Sequence, residues 1–99
     1  MRLNPNNVNI LINLGNSYYK TKNYDYAIDS FKKALLINSL KISININIGD
    51  CYFCKNDITL AEQYYLKAIA YKSKKSKLYY NLAMIYLEKA DYEKTINYL

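Results

Sequence analysis

The sequence predicts an all-α fold in which antiparallel helical hairpins stack one on the next as a solenoid. Three observations predict it. First, the chain copies itself at a fixed interval: Gly15, Gly49 and Ala83 are 34 residues apart, as are Tyr18, Tyr52 and Tyr86, and Asn13, Asn47 and Asn81. Self-similarity at this period is the mark of stacked supersecondary units rather than of one closed core. Second, Gly (2) and Pro (1) are scarce while apolar residues make up 52%, which favours long helices over a turn-rich β fold. Third, apolar residues recur at helical spacing within each copy.

The period divides the single domain into a repeat at 8–41, a second at 42–75 and a partial third at 76–99, with 1–7 reading as the tail of a preceding repeat. In the first repeat Ile10, Leu11, Leu14 and Tyr18 form one stripe at i, i+1, i+4 and i+8. Small Gly15 and Ser17 let a neighbouring helix come close. The turn follows at Thr21-Lys22-Asn23, and Asn23 is placed to cap the next helix, because its side chain can accept a free backbone N–H. That helix runs from Tyr24 to about Ile37 with Ala27, Ile28, Phe31, Ala34 and Leu35 on one side. Phe31 fills the gap that the small residues leave.

The second repeat predicts helices over about 42–54 and 58–71, a turn at Lys55-Asn56-Asp57 and a cap at Asp57. Ile42, Ile44, Ile46 and Ile48 alternate with polar residues, which by period alone reads as a strand. The repeat register overrules that reading, since the equivalent segments are helical. The third repeat predicts a helix near 77–88, a turn at Lys89-Ala90-Asp91 with Asp91 as cap, and a final helix opening at Tyr92 and running to Leu99.

Composition limits function. No apolar run reaches the roughly 18 residues of a membrane span, and Met1 to Asn9 has no signal-peptide pattern. The expectation is a soluble cytoplasmic chain. The net charge is +6, with the lysines scattered among acids except at Lys72, Lys74, Lys75 and Lys77, which read as a solvated loop between repeats. Nucleic-acid binding is therefore disfavoured. There is no His, no Gly-rich phosphate loop and no pair of acids set in a pocket, so no catalytic constellation is present and no cofactor is expected. Cys51 and Cys54 form a lone C-x-x-C. A zinc site needs two further ligands that the chain lacks, so Cys51, at the small packing place of Ser17, reads as structural.

These repeating residues resemble the tetratricopeptide repeat family. Its pattern is a large residue, Leu-Gly and Tyr on the first helix, then Ala, an aromatic and Ala on the second, then Pro. The chain matches it with Leu11, Leu14-Gly15, Tyr18, Ala27, Phe31 and Ala34; with Ile48-Gly49, Tyr52, Ala61, Tyr65 and Ala68; and with Tyr79, Leu82-Ala83 and Tyr86. It departs at Asn45, where a large residue is usual, at Ser39 and Ser73 in place of Pro, and at Thr95 in place of Ala.

The resemblance implies a right-handed superhelix whose first helices line a concave groove. The groove set would be Asn9, Ile12, Asn13, Asn16 and Tyr19; Ile46, Asn47, Asp50 and Phe53; and Lys77, Tyr80, Asn81 and Met84. Asn13, Asn47 and Asn81 would form a ladder able to pair with both the N–H and the C=O of an extended peptide. A clamp for a terminal carboxylate, as some family members have, finds Asn16, Asn47 and Lys77 in place. Ile12 and Asn81 stand where it needs cations. The apolar members of the set suit an amphipathic helix or a hydrophobic segment. The expected function is non-catalytic protein–protein interaction with a peptide or helix in the groove. The alternative is a scaffold segment of a longer solenoid in a multi-subunit assembly, self-associating through its end faces.

Overall fold

Six helices run along the described residues of the computed structural model: α1 (Val8–Lys20), α2 (Tyr24–Ile37), α3 (Ile42–Cys54), α4 (Ile58–Ala70), α5 (Ser76–Glu88) and α6 (Tyr92–Tyr98). The structure describes residues 7–38, 42–70 and 76–98, and for Ile42, Ala70, Ser76 and Lys77 only the backbone. The lysines at 72, 74 and 75, Pro5 and Leu99 fall outside this set. Helices pair as α1 with α2, α3 with α4 and α5 with α6, and the hairpins stack through α2 on α3 and α4 on α5. The stack measures 51 × 26 × 18 Å, the elongated outline of an all-α helical-repeat solenoid.

The small-residue positions explain why each hairpin closes so tightly. A Cβ at Gly15 would lie 2.6 Å from the Phe31 ring, and one at Gly49 2.7 Å from the Tyr65 ring. Each aromatic therefore occupies the space that a side chain on the first helix would take. Phe31 is 1% exposed, so its burial contributes about 2–3 kcal/mol. Ala27, Ala34, Ala61 and Ala68 are fully covered, which brings the second helix of the first two hairpins close to its neighbours.

The corners between paired helices are built three times in one way. Lys22, Asn56 and Ala90 adopt φ of 63°, 64° and 60°, the left-handed region. At the first corner the Asn23 N–H donates to Tyr18 C=O at 2.8 Å and the Lys22 N–H to Tyr19 C=O at 3.0 Å. Asp57 to Tyr52 and Asn56 to Phe53 repeat the pair, as do Asp91 to Tyr86 and Ala90 to Leu87. These paired bonds satisfy the last carbonyls of the first helix and turn the chain.

The caps differ in part from expectation. Asp57 Oδ1 accepts from the Leu60 N–H at 3.4 Å and Asp91 Oδ1 from the Lys94 N–H at 3.3 Å. Asn23 stands at the N-cap position but makes no side-chain cap bond; its Nδ2 donates to Thr21 Oγ1 at 2.8 Å instead. The amide is drawn back to the turn and away from the helix it precedes. An unforeseen cap is Asn7, whose Oδ1 accepts from the Ile10 N–H at 3.2 Å.

The Ile-rich segment 42–48 is helical, as the register required. Its alternating pattern has a physical origin. Ile44, Asn45, Ile46 and Ile48 are all buried, because α3 is the middle first-helix of the stack and is covered on several sides. A helix buried on several sides needs no single apolar stripe. Asn45 is 3% exposed, and its Oδ1 is buried without a hydrogen-bond partner. Thr95, in place of the usual Ala, is satisfied: its hydroxyl donates to Asp91 C=O at 2.8 Å.

Candidate functional site

The residues singled out for the groove lie on α1, α3 and α5, but in unequal settings. Asn9, Asn13 and Asn16 are exposed on α1, and Ile12 and Tyr19 are half-buried. On α3, Asn47 and Phe53 are half-buried, while Ile46 lies in the core at 5% exposure and Asp50 is buried. On α5, Tyr80 is exposed, Met84 half-buried and Asn81 buried. Lys77 belongs to α5, with its side chain outside the described residues.

The three period-related asparagines accordingly do different things. Asn81 Nδ2 donates to Asp50 Oδ1 at 3.2 Å and to the Tyr65 hydroxyl at 3.0 Å. Tyr65 in turn donates to the same Asp50 oxygen at 2.5 Å. These groups tie the second hairpin to the third across a buried contact, where hydrogen bonds to a carboxylate are strongest. Burial, then the Asp50 charge, push the Tyr65 phenol well above its usual range. By contrast, among the described residues the side-chain amides of Asn13, Asn16 and Asn47 have no hydrogen-bond partner.

Between the first two hairpins, Asn16, Tyr19, Phe31, Asn47 and Asp50 line a cavity of about 150 Å³. Tyr19 Oη lies 3.5 Å from Cys54 Sγ, and burial followed by that contact raises the Tyr19 phenol. Phe31 is the member that sequence reasoning assigned to packing alone; its difference from Tyr65, one period later, was the available signal.

Cys51 and Cys54 are both free thiols. Cys51 is fully buried, and burial, then nearby Asp50, push its thiol up to about 12, so it stays protonated and unreactive. Among the described residues no group of three or more His, Cys, Asp or Glu side chains could hold a metal ion. Nor is any helix among them long and apolar enough to cross a membrane.

Models of the tetratricopeptide repeat match residues 8–39, 42–75 and 64–97. The chain belongs to the tetratricopeptide repeat family. Solved tetratricopeptide repeat structures superpose on it closely. A crystal structure of MamA has 26% sequence identity and a TM-score of 0.87 over 96% of this chain and 56% of that one. YrrB, described as a tetratricopeptide repeat protein with an unusual peptide-binding site, has 20% identity and a TM-score of 0.87 over 96% of this chain and 49% of its own. The tetratricopeptide repeat domain of OM64 from Arabidopsis has 20% identity and a TM-score of 0.85, covering 92% of this chain and 75% of that one. The chain thus spans about half the length of MamA and YrrB. No curated protein matches it.

Proposed function

We propose that this chain is a non-catalytic interaction module that binds a peptide or helix along the face made by α1, α3 and α5. The observation that supports the reading is the set of side-chain amides at Asn13, Asn16 and Asn47, without partners among the described residues, beside a cavity between two hairpins. Amides that donate and accept at once can pair with a peptide backbone whatever its sequence. Half-buried Ile12, Tyr19 and Phe53 supply apolar contact next to them. That YrrB carries a peptide-binding site on this fold agrees with the reading. The test selects binders from a phage-displayed decapeptide library. Affinity is then compared between the wild-type chain and Asn13→Ala, Asn16→Ala and Asn47→Ala. Losing one or two hydrogen bonds predicts roughly tenfold weaker binding for at least one variant. Unchanged affinity in all three would sink the groove reading.

A second reading, a scaffold segment that packs through an end face, draws support from Leu14. It is 42% exposed, whereas its equivalents Ile48 and Leu82 are fully buried. Such a face associates with another apolar surface. Light scattering across a hundredfold concentration range tests the self-associating version, which a constant monomer mass would refute.

A further inference from the structure

The two junctions between hairpins use the same three positions and differ at two of them. At the second junction the positions hold Asp50, Tyr65 and Asn81, and the Tyr65 hydroxyl sits hydrogen-bonded between the other two. One period earlier they hold Asn16, Phe31 and Asn47. Phe31 supplies the ring and no hydroxyl, and here the cavity of about 150 Å³ remains, with Tyr19 and Asp50 on its walls.

We propose that this cavity receives one neutral hydrogen-bonding side chain of the bound partner, a hydroxyl or primary amide of Ser, Thr, Asn or Gln. It would take the place that the chain's own Tyr65 hydroxyl takes at the next junction. The inference rests on the groove reading above and specifies what one of its subsites selects. The chemistry follows from the walls. Asn16 and Asn47 each offer a donor and an acceptor, which match a group that both donates and accepts. The space admits it, since a water's share of volume is about 30 Å³ and a side chain of two to five heavy atoms takes the space of a few waters. An anionic side chain would meet the Asp50 carboxylate. A cation would give up its hydration beside a carboxylate oxygen that already accepts from Tyr65 and Asn81.

The experiment titrates the ¹⁵N-labelled chain with positional-scanning pools of N-acetylated, C-amidated octapeptides. Each pool is fixed at one position to Ser, Thr, Asn, Gln, Asp, Lys or Leu, and the side-chain amide resonances of Asn13, Asn16 and Asn47 are read. The expected result is that Ser, Thr, Asn or Gln at one position binds about tenfold better than Asp, Lys or Leu and moves the Asn16 and Asn47 amides. Phe31→Tyr should install the missing hydroxyl, keep or raise the melting temperature, and abolish that preference. Asn16→Ala, at an exposed position, carries the same test if Phe31→Tyr does not fold. If Asn13 and Asn47 respond to peptides but no pool is preferred, the inference falls while the groove reading stands. It also falls if Asp or Lys is preferred, or if both variants keep the preference. If no pool moves any of the three amides, the groove reading itself falls and takes the inference with it.

Discussion

Replacing Asn45 with Leu should stabilise this chain by about 1–3 kcal/mol. Asn45 lies on α3 at 3% exposure, and its Oδ1 is buried without a partner. An unmet buried acceptor costs about 1–3 kcal/mol, a penalty that the substitution removes. Leu has the same branching at Cγ as Asn, so two methyls take the places of the amide oxygen and nitrogen. Their burial adds about 1 kcal/mol or more, offset by up to about 1 kcal/mol of crowding because methyls are larger. The equivalent position one repeat earlier is Leu11, a core residue at 6% exposure, so the fold already accepts this side chain there. A domain of this size gains roughly 4–8 °C in melting temperature per kcal/mol, which predicts a rise of about 4–24 °C. Circular dichroism melts and urea titrations would measure it. Asn45→Ala serves as control: it removes the amide but leaves a hole, and should come out near neutral. Asn45→Asp buries a charge and should be the least stable. A melting temperature for Asn45→Leu at or below wild type would refute the argument that the amide is an uncompensated cost.

Three further outcomes are expected. Gly15→Ala should destabilise by about 1–3 kcal/mol, because its Cβ would press on the Phe31 ring; Phe31→Leu in the same chain should recover part of the loss, and additivity in the double-mutant cycle would count against the contact. Ala90→Gly should stabilise by roughly 1 kcal/mol, since Ala pays for φ 60° and Gly does not; an unchanged urea midpoint would contradict this. Stability should fall with alkali. The Cys51 thiol is held protonated to about 12 in the fold against 9.0 outside it. The folded state therefore keeps a proton that the unfolded chain loses, and stability is intact below pH 9 and drops by up to about 1.4 kcal/mol per pH unit from there to about 12. Cys51→Ala should flatten that part of the pH–stability curve, and an unaltered slope would overturn the assignment.

Much of the fold was legible because packing residues repeat: the Gly15–Phe31 and Gly49–Tyr65 pairs appear in the sequence as small and aromatic positions one period apart. What escaped was whatever depends on a residue's place in the stack. The alternation at 42–48 could not reveal that α3 is buried on several sides, since that burial comes from the helices packed against it. The ladder of Asn13, Asn47 and Asn81 read as three equal rungs, yet Asn81 is buried against Tyr65 and Asp50. Two differences accompany this, Tyr65 where the earlier repeat has Phe31 and Asp50 where it has Asn16, and period-matching treats the two aromatics as alike. The bridges from Lys55 to Asp25 and from Lys89 to Glu62, each tying a corner to the hairpin before it, also went unseen. Their partners sit at non-equivalent positions, and such exposed pairs contribute little to stability.

The three corners carry a last consequence. A lysine, an asparagine and an alanine occupy the same left-handed place and turn the chain through the same backbone bonds. The bend is thus specified by main-chain atoms, which every residue type but proline brings alike. Side chains there can diverge without altering the pitch of the superhelix. The corners give such an array a rim on which new surface chemistry can be tried while the spacing of its binding face is held constant.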